Sequence, residues 1–111
     1  MRIEYRKNKL QKQVSSASEI KKAFGVNAKR VASRLDEIIS SPNLAILLQI
    51  PAANCHPLTG DRKGEWTLDI SKNFRIIFEI AHDPIPKTMD GSVGTILVTD
   101  IRIIEIGEDY H

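Results

Sequence analysis

The stretch His56–Ile80, HPLTGDRKGEWTLDISKNFRIIFEI, decides the fold. From Glu65 to Ile70 polar and apolar residues alternate, which places Trp66, Leu68 and Ile70 on one face and Glu65, Thr67 and Asp69 on the other. A period of two is the pattern of a strand with one face buried. Ser71, Lys72 and Asn73 suit a tight reversal, because Asn tolerates a left-handed backbone and Ser can bond its own main chain. Alternation then resumes with Phe74, Ile76, Phe78 and Ile80 inward. The reading is a β-hairpin from Trp66 to Ile80. Two glycines, Gly60 and Gly64, bracket the charged turn Asp61-Arg62-Lys63 ahead of it, and Arg75 falls on the outward face of the second strand. A cation on a rigid strand beside a basic loop makes an anion site.

Working back from the hairpin, the chain is helical in pattern. Ser16 precedes Glu19 by three residues, a capping-box spacing, and a short helix carrying Ile20 and Phe24 is expected up to Gly25. Asn27 is expected to cap a second helix, whose inner face is Val31, Leu35, Ile38 and Ile39 and which stops before Pro42. Ser41 and Pro42 then suit the N-cap and first position of a third helix, ended by Ile50-Pro51. Arg2 to Tyr5 has the alternation of a short edge strand, and Arg6 to Val14 reads as loop or helix start. Beyond the hairpin, Ala81 to Gly94 reads as an exposed loop. Thr95 to Ile106 is β-branched and reads as a last strand, most firmly over Val98 to Ile106, with room for a bulge. Trp66 and the isoleucines are expected in the core. Helices first and hairpin-built strands afterwards make an α+β fold: N-terminal helices packed on one face of a small antiparallel β-sheet.

At 111 residues the chain reads as one domain, 1–111, and 41% hydrophobic with 27% charged residues excludes disordered and fibrous classes. No apolar run is long enough to span a bilayer and Met1-Arg2-Ile3-Glu4 is no signal peptide, so a cytoplasmic protein without membrane contact is expected. A lone Cys55 and three scattered histidines offer no disulfide and no metal-ligand spacing, so no metal or other cofactor is expected. The net charge of +2 hides a division. Residues 1–34 hold ten Lys or Arg against two Glu, a net of +8, and the remainder is −6. Such a segment suits phosphate backbones, and it suits a solvated helix face equally.

The hairpin block resembles the HigB toxins of the RelE/ParE toxin–antitoxin superfamily. The matching features are His-Pro-Leu and Gly-Asp-Arg within His56 to Arg62, Trp66 two residues after Gly64, Asn-Phe-Arg-Ile at Asn73 to Ile76, and the ending Asp109-Tyr110-His111. They cover the C-terminal half of the chain. One departure is Thr59, where several such toxins carry Lys after the His-Pro-Leu.

The resemblance implies a RelE-like fold and a metal-independent, ribosome-dependent mRNA endonuclease that inhibits translation. It also implies a helix-turn-helix, HigA-like antitoxin as partner, with operator DNA reached only through that complex. Such chemistry needs a base, an acid for the leaving 5′-oxygen and cations on the phosphorane. The resemblance puts His56 and His111 in the acid and base roles, Arg75 on the phosphate, Asp109 and Tyr110 in orienting or stacking roles, and Arg62 and Lys63 on the RNA. Residue by residue, plainer readings stand beside these. His56 is also an ordinary loop histidine, Arg75 a surface Arg paired with Glu65 or Glu79, Arg62 and Lys63 turn charges, and residues 109–111 a frayed tail. Two other functions fit the same block: a ParE-like poison of DNA gyrase, and a non-catalytic module that only binds its antitoxin.

Overall fold

The computed structural model describes residues 1–108. The alternation of the hairpin is realised as two seven-residue strands, β3 (Glu65–Ser71) and β4 (Phe74–Ile80), joined by Lys72 and Asn73. Before them come β1 (Arg2–Tyr5), α1 (Asn8–Gln13), α2 (Ala17–Phe24), α3 (Ala28–Ser40), α4 (Leu44–Leu47) and β2 (His56–Pro57), and after them β5 (Asp100–Glu108). The sheet order is β1-β5-β4-β3-β2, with the helical layer on one face.

The α+β architecture is as expected, but the sheet is mixed. β1 runs parallel to β5, Ile3 opposite Ile101 and Tyr5 opposite Ile103, while every other neighbouring pair is antiparallel. A parallel pair needs a long crossover, and here all four helices and three strands intervene. The Met1 amino nitrogen ties that edge to the helices, donating to the carbonyls of Ile38 and Ile39 at 3.0 Å and of Ser41 at 2.6 Å. A cation at the C-terminus of α3 is the favourable sign for the helix dipole.

The core is where the two periodicities meet. Val31, Leu35 and Ile38 of α3 and Ile20 and Phe24 of α2 lie against Leu68, Ile70, Ile76 and Phe78 of the hairpin and Ile101 and Ile103 of β5. Trp66 stacks on its cross-strand partner Phe78 with centroids 6.3 Å apart, and Phe24 meets Phe74 edge-on at 6.1 Å. The bulge in the last strand is at Ile104: Ile77 pairs with Glu105 and Phe78 with Ile103, so one residue is left over and the inward phase flips.

Two helix-cap expectations need correction, and one open reading is decided. Ser16 does cap α2, accepting from the Glu19 nitrogen at 3.2 Å, but Asn27 lies in a 3₁₀ turn (Gly25–Asn27) and its side chain caps nothing. The N-cap of α4 is Asn43, accepting from the Ile46 nitrogen at 3.0 Å; Ser41 instead turns its hydroxyl back onto the Glu37 carbonyl at 2.7 Å. Residues 6–14 hold a helix, α1. Nor are all isoleucines core: Ile39 is 59% exposed, one step of 100° round the helix from Ile38, and Ile46, Ile85 and Ile96 are exposed too. Thr95–Leu97 is a 3₁₀ turn, and the strand starts only at Asp100.

Phe78 is fully buried at the centre of this core. Phe78→Ala should therefore lower unfolding free energy by about 3–5 kcal/mol. Fully exposed Met89 changed to Ala should shift it by less than about 0.5 kcal/mol. Urea denaturation of both variants checks the contrast.

Candidate active site

The face of the sheet that carries no helix is polar and ordered by strand register. His56 of β2 lies opposite Thr67 of β3, and Thr67 opposite Ile77 of β4. One step of two residues further on, Asp69 lies opposite Arg75, and Arg75 opposite Gly107 of β5. His56 and Arg75 therefore share a face with β3 between them, two strand spacings across and two residues along, roughly 12 Å from backbone to backbone. Both side chains are half-buried.

The His56 ring is fixed by its own chain. Its Nδ1 is 2.8 Å from the carbonyl oxygen of Asn54, and a carbonyl only accepts, so Nδ1 carries the hydrogen and Nε2 is left to take a proton. His82 is arranged the other way: its Nε2 accepts from the backbone nitrogens of Thr99 at 3.0 Å and Asp100 at 3.2 Å, which spends that lone pair on anchoring the 81–94 loop. Cys55, next to His56, is buried, and burial pushes its thiol up to about 12, so it is no thiolate nucleophile at neutral pH.

Ion pairs occupy the rest of the face. Arg102 bridges Glu4 at 3.0 Å and Glu79 at 2.9 Å, and Arg6 adds a second cation to Glu79 at 3.2 Å. Burial by itself would raise the Glu79 carboxyl, but the Arg102 hydrogen bond and the Arg6 charge outweigh it and hold it below its ordinary value. Arg62 bridges Glu65 at 2.5 Å and Glu105 at 2.6 Å, hydrogen bonds that raise its pKa further. Glu65 and Glu79 are thus taken by Arg62, Arg6 and Arg102. The cross-strand carboxylate facing Arg75 is Asp69. Asp69 is in turn bonded through Oδ2 to Asn54 Nδ2 at 2.9 Å, and through its carbonyl to Arg34 Nε of α3, also at 2.9 Å.

Of the residues expected at the site, His56 and Arg75 are brought onto one face, with Arg62 further along it. Lys63 is placed elsewhere: it borders a cleft of about 470 Å³ whose floor is the core-facing Trp66 and Ile80, with Ile85, Lys87 and Val93 across it. Thr59 is exposed on the rim of the same cleft. Asp109, Tyr110 and His111 lie outside the described residues; β5 ends at Glu108, opposite Phe74 and one step from Arg75. Asn54 and Asp69 are the members that sequence reasoning missed. An Asn two residues before the histidine, closing a short Pro-Ala-Ala turn, was the available signal for a left-handed residue.

Thr67, the cross-strand partner of His56, is fully buried, and among the described residues its hydroxyl has no hydrogen-bond partner. Among the described residues no His, Cys, Asp and Glu side chains cluster as a metal site, and no helix is long and apolar enough to cross a membrane.

No family model matches the chain and no curated protein matches it in sequence. Solved structures match its fold. The YoeB/ParE toxin from Agrobacterium tumefaciens superposes with a TM-score of 0.55 at 12% identity, covering 99% of this chain and 100% of that one. YafQ from E. coli superposes with a TM-score of 0.59 at 15% identity, covering 97% of this chain and 93% of that one. A YafQ variant from E. coli gives 0.55 at 16% identity over the same shares.

Two predictions follow from the electrostatics and packing of this face. Thr67→Val keeps the shape and deletes an orphaned hydroxyl, so it should stabilise the fold by about 1 kcal/mol; a loss of that size in denaturant titration would show that the hydroxyl has a partner. Glu79 has a folded pKa below its unfolded one, so its pairs contribute stability above the ordinary Glu value of about 4.3 and lose it as pH falls through the depressed value. The stability gap between wild type and Glu79→Gln should therefore be widest near neutrality and close in acid, as read by thermal melts across pH.

Over 97–99% of its length, the chain adopts the fold of the YoeB/ParE toxin and of YafQ.

Proposed function

We propose that residues 1–111 form a single cytoplasmic toxin domain of a type II toxin–antitoxin pair, a HigB-like endoribonuclease that cuts messenger RNA on the ribosome without a metal ion. The observation that carries the reading is the pairing of His56, whose Nε2 is left to accept a proton, with Arg75 on the same uncovered face. The fold shared with a YoeB/ParE toxin supports it.

In this reading the ribose 2′-oxygen forms a bond to the adjacent phosphorus as His56 Nε2 takes its proton. The bond from phosphorus to the 5′-oxygen breaks, and that oxygen receives a proton from an acid, His111. The products are a 2′,3′-cyclic phosphate and a 5′-hydroxyl. Arg75 meets the charge that gathers on the phosphorane, where its fixed fork suits two oxygens at once. Asp109 orients the acid and Tyr110 stacks on a base. Lys63, exposed on the hairpin's leading loop, meets a flanking phosphate. Arg62 does the same by releasing Glu105, the more exposed of its two carboxylates at 52% against 22%. Thr59 supplies no charge where relatives carry Lys.

The ribosome's part is orientation, since holding the 2′-hydroxyl in line with the scissile bond removes much of the entropic barrier. A helix-turn-helix, HigA-like antitoxin neutralises the toxin and carries it to operator DNA. A gyrase poison or a simple antitoxin-binding module would leave His56 and Arg75 idle, and a supercoiling assay separates the first of these.

Brief induction should arrest growth and create new 5′ ends within translated messages, with little cutting of naked RNA. Arg75→Ala at equal abundance should lower cleavage by about 10²–10³ while thermal melting shows a folded protein. Equal cleavage with and without ribosomes, or full toxicity of Arg75→Ala, would overturn the assignment.

A further inference from the structure

Asn54 ends the 3₁₀ turn Pro51–Ala53 with a left-handed backbone, φ 45° and ψ 46°. Two hydrogen bonds leave it in different directions. Its carbonyl accepts the Nδ1 hydrogen of His56, and its Nδ2 donates to Asp69 Oδ2. Asp69 is braced from behind by Arg34, whose side chain is only 12% exposed on α3. A continuous path therefore runs from the helical layer through Arg34, Asp69 and Asn54 to the His56 ring.

The left-handed backbone of Asn54 turns the chain out of the 3₁₀ turn and into β2, and Asn is among the few residues other than Gly that adopt it at little cost. The direction of the bond matters chemically. A free imidazole in water carries its hydrogen mainly on Nε2, whereas a proton acceptor at Nε2 needs the hydrogen on Nδ1. Asn54 is itself exposed, and its own side chain's hold on the sheet is the bond to Asp69. With that bond gone, the peptide after Asn54 is free to turn its carbonyl to solvent, and the ring reverts to its default.

We propose that Asn54 is a positioning residue for His56: anchored on Asp69, it fixes the ring and the tautomer that leave Nε2 as the base. This rests on the reading of His56 as the proton acceptor in RNA cleavage. A plain turn brace would hold the loop without setting the ring's hydrogen, and that is the difference to be measured.

The experiment uses the full chain labelled with ¹⁵N-histidine, read by long-range ¹H–¹⁵N spectra of the neutral imidazoles, beside cleavage of translated messages as a function of pH. Asn54→Asp keeps a residue that tolerates the left-handed backbone but turns an acceptor toward Asp69. Wild type should show His56 with its hydrogen on Nδ1. Asn54→Asp should move that hydrogen to Nε2 and slow cleavage about 10- to 100-fold, the scale of a misplaced catalytic group. Pairing Asn54→Asp with Asp69→Asn restores a donor and an acceptor and should return the Nδ1 hydrogen. Asn54→Gly, which takes the same backbone and lacks the side chain, gives a second spectrum if the Asp variant melts early. An unchanged tautomer in these variants overturns the proposal, as does a changed tautomer with wild-type cleavage and pH profile. Wild-type cleavage by His56→Gln overturns the assignment of the base itself, and the need for positioning with it.

Discussion

Helices cover one face of this sheet only, and the other face has to meet water while its strands stay paired. That constraint shapes the polar side. Register sets Glu65 directly opposite Glu79, a like-charge cross-strand pair that by itself destabilises the hairpin. Arg62 on Glu65, and Arg6 and Arg102 on Glu79, remove the repulsion. Exposed ion pairs contribute about 0–1 kcal/mol each, so their work here is to cancel an unfavourable term rather than to hold the fold. The fold is held from the opposite face, where Leu68, Ile76, Phe78, Ile101 and Ile103 are sealed under α3.

The same constraint divides the polar face into two kinds of region. Around Glu65 and Glu79 the side chains neutralise one another. Beside β2 two side chains are tied to main chain: Arg34 to the Asp69 carbonyl, and His56 through Nδ1 to the Asn54 carbonyl. Groups pinned to backbone hold their position better than groups pinned to other flexible side chains. That corner is also where local rules are broken. Among the described residues, Asn54 is the one non-glycine residue with positive φ and Thr67 buries a hydroxyl without a partner. Such costs are tolerated where geometry is set by something other than stability.

The hairpin, its facing and the Ser16 cap were legible because each depends on residues within a few positions of one another. Alternation over Trp66 to Ile80 determined which side of β3 and β4 is buried and so that Arg75 faces away from the core, while the pairing of His56 in β2 with Thr67 came only with the structure. What was not legible is decided by competition or by distance. Both Ser41 and Asn43 can cap a helix, and only the packed backbone selects Asn43. The direction of β1 depends on where almost a hundred intervening residues return. Ile38 and Ile39 are equally apolar, and the angle at which α3 lies on the sheet admits one of them. At the site, the histidine and the arginine were visible as residue types in a pattern. Asn54 was not, since its part is played by a backbone carbonyl and a left-handed turn.

The charge division of the chain acquires a spatial meaning from the same contacts. Of the basic residues in 1–34, Arg6 pairs with Glu79 and Arg34 with Glu37, so part of the +8 is matched within the molecule by the acidic remainder. The planar, multiply donating guanidinium is the group suited to such fixed bridges. Lysines 7, 9, 12, 21, 22 and 29 stay exposed on and beside the helices, with Arg30 among them. Lys7 and Lys9 border a shallow groove that runs between α1 and Glu105 to the edge of the polar face. A flexible ammonium in water adds little binding at a distance, but many of them together make a field that draws in a polyanion and weakens with salt. The two kinds of cation thus divide the labour: the exposed lysines supply a diffuse attraction, and the arginines held in ion pairs supply geometry. Under the proposed function the target is a large assembly of phosphates and both are needed, because attraction without a fixed corner binds everything and a fixed corner without attraction meets its substrate slowly.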